Sequence, residues 1–257
     1  SASGSASGSM SASGIGSASG SVSGASSSSG GVHANIGAYA PASDVSGHAL
    51  VCLDVAEING QLGEKPIDWS AVKDLYENGK LAAKSDGSMR TLAGVARKAS
   101  RSEPLWDDYT SFYGDQTWMD SFVSAAVDGT GAFSGESDGV RKQGAQKGMM
   151  NQVMIAWSIH ELVAAMAKAN DGNFDADKGA PHNWDEFWAF YHGDNPGACP
   201  FATADKRGKN FGTGTSANDA ILKATNEGRD ALLAKDAGSA QKAMDEIIRQ
   251  IRITYTQ

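Results

Sequence analysis

Side chains that bind metal ions are concentrated in residues 182–194, HNWDEFWAFYHGD, which carry imidazole, carboxylate and phenol groups. Hard ferric iron prefers ligands of these types. A second pair, His160 and Glu161, lies within a long apolar stretch of the chain. The two segments together suggest a ferric site, and its candidate ligands are His160, Glu161, Asp185, Tyr191, His192 and Asp194.

Each of these groups also has a purely structural interpretation. A tyrosine such as Tyr191 is commonly a core ring whose hydroxyl is hydrogen-bonded. His192 suits the last turn of a helix, where the helix dipole favours a cation, and Asp194 would then be a loop carboxylate. The metal-binding and structural interpretations both stay open on the sequence alone.

Catalytic motifs are missing from the sequence. It has no Gly-x-Ser-x-Gly turn, and His160-Glu161 lacks the second histidine of a His-Glu-x-x-His zinc motif. The glycine-rich segment 208–214 follows no predicted strand, so it does not qualify as a phosphate-binding loop. We therefore expect a non-enzymatic protein without a cofactor, unless ferric iron is bound.

Three Trp–Tyr pairs identify helices that would position the candidate ligands. The members of each pair are seven residues apart, so both rings lie on one helix face, and a nearby glycine ends each helix. Asp68 is expected to cap the first of these helices and Asn183 the third. The predicted core pairs are Trp69 with Tyr76, Trp106 with Tyr113, and Trp184 with Tyr191.

Helical periodicity continues from residue 43 onward, and nothing beyond the first 31 residues alternates polar and apolar side chains for long. We therefore predict an all-α fold with a single helical domain. The predicted segments are an extended tail at 1–31, a connector at 32–42 and the helical domain at 43–257.

The longest helix is expected at 140–168. Gly144 and Gly148 lie in its first half, where they would permit close helix packing or a kink. Residues 196–214 are rich in glycine and contain prolines, so this segment is predicted to be a long loop.

Charge and hydropathy argue against two classes of partner. The net charge is −8, and no basic patch interleaved with aromatic residues is present, which disfavours nucleic acid and anionic membranes. No apolar run approaches the roughly 18 residues of a membrane-spanning helix.

The two cysteines, Cys52 and Cys199, can be free core thiols or one disulfide. The disulfide is favoured because the serine-rich tail is typical of a secreted protein, and disulfides persist outside the cytosol. We therefore expect a secreted protein, extracellular or in the periplasmic space.

The tail, residues 1–31, has no charged, aromatic or proline residue. One interpretation is a flexible Gly/Ser linker. The other is an extended strand, because serine at alternate positions places hydroxyls on one face. Such a strand could add to a neighbouring copy and build a filament with O-linked sugars on its serines. Candidate residues are Met10, Ile15 and Val22 for assembly, and Ser3, Ser7, Ser11, Ser19 and Ser23 for O-glycosylation.

Four segments carry a family resemblance: DW…YENG at 68–79, KSDGSMRTL at 84–92, WDEFWAFY at 184–191 and ADKRGKNFG at 204–212. Together they resemble the algal iron-assimilation proteins, a periplasmic or surface family related to the phytotransferrins, over about residues 50–257. The resemblance leaves out the tail and implies a secreted, helical, non-enzymatic protein with ferric iron as its candidate ligand. It assigns no iron ligand residue by residue.

Two functional hypotheses follow from different features of the chain. The tail favours a structural protein that assembles into an extracellular fibre of identical subunits. The resemblance favours a monomeric protein that binds ferric iron. We expect the first and keep the second as the alternative.

Overall fold

Helices make up most of the described part of the chain, which comprises residues 33–99 and 103–256 of a computed structural model. No strand forms within these residues, which confirms the predicted all-α class. The α-helices are α1 (Ser46–Ala49), α2 (Val51–Gln61), α3 (Trp69–Asn78), α4 (Leu92–Ala96), α5 (Trp106–Tyr113), α6 (Trp118–Asp128), α7 (Asp138–Lys147), α8 (Ile155–Asn170), α9 (Ala180–Tyr191), α10 (Pro200–Phe211), α11 (Ser216–Leu233) and α12 (Ala237–Thr256).

The predictions for the tail lie outside the described residues. They concern the assembly residues Met10, Ile15 and Val22 and the candidate O-glycosylation sites at serines 3, 7, 11, 19 and 23. Assembly into a fibre through this segment therefore stays a prediction.

Helix ends follow the local signals in α3 but not in α9. The Asp68 carboxylate accepts a hydrogen bond from the backbone N–H of Ala71 at 3.0 Å, as expected of an N-cap. The predicted cap at Asn183 is wrong, because α9 begins earlier, at Ala180. Pro181 favours the first turn of a helix, so Asn183 lies inside α9, and its amide is free to bond to other elements.

The predicted long helix forms as α7 and α8, joined by the π-helical turn Gly148–Met154. A Cβ at Gly144 would lie 2.4 Å from the Phe133 ring, and one at Gly148 would lie 2.7 Å from Val123. Both glycines therefore permit the close packing that their spacing suggested. The π-helical turn interrupts the regular α-helical geometry between α7 and α8. Such turns are common at functional sites.

The predicted loop at 196–214 is wrong, because most of it forms α10. Pro200 occupies the first turn of that helix, and Gly212 ends it with a left-handed φ of 72°. The same proline and glycine that suggested a loop are helix start and stop signals. Cys199 precedes α10 and forms a disulfide with Cys52 of α2, so the favoured alternative for the two cysteines is confirmed.

Helix α9 lies between two hydrophobic clusters. Phe190 belongs to the cluster formed largely by α2, α3, α4 and α6, whereas Trp184, Trp188 and Tyr191 belong to the cluster formed by α8, α11 and α12. The predicted Trp–Tyr pair is therefore fully buried in α9. In α5, by contrast, Tyr113 is 50% exposed, so the two-ring core contact predicted there does not form.

We predict that Gly228→Ala destabilises the protein by about 1–3 kcal/mol, the usual cost of overpacking a core. Gly228 of α11 lies against Trp184, and an added Cβ would come closer to that ring than any van der Waals contact allows. Gly60→Ala is the matched control, since its added Cβ meets no atom within 4 Å. Chemical denaturation should show a lower midpoint for Gly228→Ala than for the wild type, and no such decrease for Gly60→Ala. Equal midpoints for Gly228→Ala and the wild type would contradict the packing described.

Candidate metal centre

Two histidines and a glutamate converge where α1 meets α9. Glu186 Oε1 lies 2.9 Å from His48 Nε2 and 3.1 Å from His182 Nε2. The three ligand atoms lie within 4.8 Å of one another, and their side chains are only 12–21% exposed. His182 and Glu186 are four residues apart on α9, which places both on one helix face.

The position of His48 is fixed by contacts around the short helix α1. The backbone N–H of Asp194 donates to the Ala49 carbonyl at 3.2 Å, which ties the end of α9 to α1. Gly193 has a left-handed φ of 57°, and an added Cβ would collide with Cys52. The chain after α9 can therefore pass directly over the start of α2, and this contact holds His48 against α9.

A second carboxyl group adjoins the cluster. The Asn183 amide donates to Glu161 of α8 at 2.6 Å and to Glu186 at 3.0 Å. Burial, the charge of Glu186 and a hydrogen bond to Glu186 raise the pKa of Glu161 well above its usual range. Burial opposes the ionisation of Glu186 too, but hydrogen bonds with His182, His48 and Glu161 outweigh it and lower the pKa of Glu186. Of the two carboxyl groups, Glu186 therefore ionises more readily than Glu161.

A series of hydrogen bonds orients the His182 ring through its Nδ1, the nitrogen that does not face Glu186. His182 Nδ1 lies 2.9 Å from Ser43 Oγ, and Ser43 Oγ donates to Asp185 Oδ2 at 2.8 Å. Tyr39 donates to the other oxygen of Asp185 at 2.5 Å. The single hydroxyl proton of Ser43 is used on Asp185, so His182 must donate from Nδ1. A neutral His182 then presents the lone pair of Nε2 to the cluster.

Positive side chains border the cluster on one side. Arg90 Nη2 lies 2.8 Å from His48 Nε2, the ring nitrogen that also faces Glu186 Oε1. Burial lowers the pKa of Arg90. Arg90, Lys84 and Lys98 line a cavity of about 260 Å³ that also reaches His48 and Glu161.

The six candidate ligands predicted from the sequence have different partners among the described residues. Glu161 joins the cluster, and Asp185 contacts it only through Ser43. His160 instead faces Glu103, with His160 Nδ1 3.0 Å from Glu103 Oε1. The Tyr191 hydroxyl donates to Asn218 at 2.7 Å. The His192 ring stacks on Trp188, and Asp194 is exposed.

The physical reason is the continuity of α9 through Tyr191, which distributes these side chains around the whole helix. His182 and Glu186 lie within the segment 182–194 that the sequence singles out, but they are not among its six candidate ligands. Their i, i+4 spacing is the signal that could have identified them. His48 and Ser43 carry no comparable signal, because their partners are more than a hundred residues away in the chain.

The donor set fits a metal ion. Three acceptor atoms, two imidazole Nε2 and a carboxylate Oε1, face one another when the histidines are neutral. His48 Nδ1 and Asn183 Oδ1 are buried and have no hydrogen-bond partner among the described residues. Two histidines with carboxylates are a common ligand set for iron and zinc. The cluster thus has the chemistry of a cation site.

Fold and cluster together define a class, the all-helical proteins with a buried histidine–carboxylate centre. The chain belongs to the family of low iron-inducible periplasmic proteins, whose family model, Fea1, matches residues 14–245. Membership confirms the expected relation to iron assimilation and the expected secreted or periplasmic location. The match also covers part of the tail, which the resemblance had left out.

Comparison with curated proteins and with solved structures finds no match. None of the helices within 33–99 and 103–256 has both the length and the apolar character needed to cross a bilayer.

We predict that Ser43→Ala changes the tautomer of neutral His182. In the wild type, ¹⁵N-edited NMR of the imidazole should show a proton on Nδ1, because Ser43 accepts from Nδ1. Loss of the acceptor should mix the two tautomers. Ser46→Ala, which removes an exposed hydroxyl bonded to Asp44, is the control. A wild-type ring protonated on Nε2 alone would contradict the orientation described.

We predict that Glu161 makes the unfolding free energy fall as pH rises. Its pKa is raised in the folded state, so its contribution to stability is complete below the unfolded value of about 4.5 and is lost as pH rises through the folded value. Denaturation of Glu161→Gln from pH 4.5 upward should lack this decline. Glu246→Gln, at an exposed carboxyl whose pKa is lowered to about 2, should retain it. If the unfolding free energies of Glu161→Gln and the wild type change with pH in the same way, the prediction is refuted.

Proposed function

We propose that the chain binds iron as cargo at the His48–His182–Glu186 cluster, with Glu161 as a further ligand. The observation that carries the proposal is the orientation of His182, whose Nε2 lies 3.1 Å from Glu186 Oε1 while Ser43 Oγ lies 2.9 Å from its Nδ1. Two acceptors facing each other at that distance repel unless a proton or a cation lies between them. A metal ion would replace the proton and bond to both.

The charge of the cluster favours ferric iron over a divalent ion. Two histidines and one carboxylate would also suit ferrous iron or zinc. The second carboxyl, Glu161, adds another hard oxygen ligand and a second negative charge once it loses its proton. Membership in a family described as low iron-inducible and periplasmic supports iron as the physiological metal.

Binding without catalysis is the simplest role for this site. The cluster adjoins charged side chains and two packed rings, Trp157 and Phe190, whose centroids are 4.1 Å apart. We therefore propose a ferric-binding protein of the periplasmic space, the alternative that the resemblance had favoured, over an extracellular fibre.

We predict that Glu186→Gln weakens ferric binding by about 100-fold or more, because loss of even an outer partner of a metal ligand costs about 10–100-fold. Titration of the full-length protein with citrate-buffered Fe(III) measures the affinity. His160→Gln is the matched control: it removes a histidine of α8 that lies outside the cluster and should bind normally.

The spectrum of the iron-loaded protein provides a second measurement. The cluster contains no tyrosine, so bound Fe(III) should lack the visible charge-transfer band of a tyrosinate complex. A tyrosinate band abolished by Tyr191→Phe would place the iron elsewhere. Equal affinity of Glu186→Gln and the wild type would also reject the site.

A further inference from the structure

A cavity of about 330 Å³ lies between α2, α7, α10 and the π-helical turn. None of its lining residues belongs to the metal cluster or to the cavity beside that cluster. Its volume is at the lower end of the range for ligand pockets. There is therefore room for a small molecule that does not touch the proposed iron site.

The walls of this cavity are joined by cross-links between the helices that form them. Gln146 Nε2 of α7 donates to Asn59 Oδ1 of α2 at 2.9 Å, and both residues line the cavity. Cys199, which also lines it, connects the start of α10 to α2 through the disulfide with Cys52. A site whose walls are already fixed loses less conformational freedom when a ligand binds.

The charged side chains of the lining are lysines alone. Lys147 of α7 and Lys206 of α10 contribute to it, and among the described residues no carboxylate does. The whole chain has 30 acidic and 22 basic side chains, so two cations without an acidic neighbour in one lining reverse the overall balance. The local potential is therefore positive and favours an anion.

The two lysines have no charged partner in the part of the chain that the structure describes. Neither takes part in an ion pair there. Single exposed lysines are common on protein surfaces, but Lys147 and Lys206 come from different helices and line one cavity. Both charges are therefore available to a ligand in that cavity.

Uncharged polar groups form a second part of the lining. Four carboxamides and one hydroxyl contribute, those of Asn59, Gln143, Gln146, Asn151 and Thr203. A carboxamide both donates and accepts hydrogen bonds. This set therefore suits a ligand that carries several oxygen atoms.

Apolar side chains also line the cavity, among them Val55, Ile58, Met149, Met150 and Ala202. A bare inorganic anion would leave this apolar surface in water, whereas a carbon chain next to the charged group covers it. The lining therefore favours an organic anion over an inorganic one.

We propose that this cavity binds a small organic acid of about four to six carbon atoms, the size that its volume allows. The carboxylates of the acid bind to Lys147 and Lys206, its carbon chain contacts the apolar side chains, and the carboxamides bond to its remaining oxygens. This site is independent of the proposed iron site.

Calorimetric titration of the full-length protein with succinate and with succinamide tests the proposal, because the two probes share one carbon skeleton and differ in charge. We expect one saturable site for succinate and an affinity about ten-fold lower for succinamide, since hydrogen bonds between charged groups are the stronger ones. Inorganic phosphate, which has the charge but no carbon chain, should also bind more weakly than succinate.

Three substitutions in the lining should weaken succinate binding. Lys147→Met and Lys206→Met each remove one cation, and each should lower the affinity by about five-fold, the upper range for an ion pair at an exposed side chain. Asn59→Asp keeps an oxygen that can accept from Gln146 and adds a negative charge to the lining, so it should lower the affinity by repulsion.

Lys209→Met is the matched control. It removes an exposed lysine of the same helix as Lys206 that does not line the cavity, and it should bind succinate as the wild type does. The proposal is overturned if succinate does not bind, if succinamide or phosphate binds as tightly as succinate, or if Lys209→Met loses as much affinity as Lys206→Met.

Discussion

Burial of α9 on all sides is the constraint on which the rest of the structure depends. The helix carries His182, Asn183, Asp185 and Glu186 within five residues, and charged or polar groups cannot be removed from water without partners. Each partner comes from a different part of the chain: Ser43 and Tyr39 from the connector region, His48 from α1 and Glu161 from α8. Folding around this helix therefore assembles the metal cluster as a consequence of satisfying its polar groups.

How much of the fold and of the candidate site could be predicted depends on whether the sequence signal for each feature is local. The helix around Trp184 and its buried aromatic face follow from periodicity, and Asp68 and Gly79 mark the ends of α3 correctly. The cap at Asn183 could not be judged locally, because the same asparagine serves equally well as a bridge between two carboxyl groups. Helix α10 was not predicted, because a proline and a glycine occur both in loops and at the two ends of a helix. Which of the two applies depends on the residues between Pro200 and Gly212.

The position of His48 shows why the site itself was beyond sequence reasoning. Nothing near His48 in the chain indicates a metal ligand, and α1 is only four residues long. Its orientation depends on the disulfide between Cys52 and Cys199 and on the contact of Gly193 with Cys52. These contacts join segments more than 130 residues apart, so the ligand set exists only once the tertiary fold has formed.

The carboxyl pair would let the same site fold without a cation and still take up the proposed iron. Two adjacent buried carboxylates cannot both be ionised at low cost, and the pKa of Glu161 is accordingly raised while that of Glu186 is lowered. A cation reverses this balance, because its charge stabilises both carboxylates and the proton leaves. Binding of the metal and release of protons are then one event. At the proposed iron site, acidification would return the proton to Glu161 and so weaken binding.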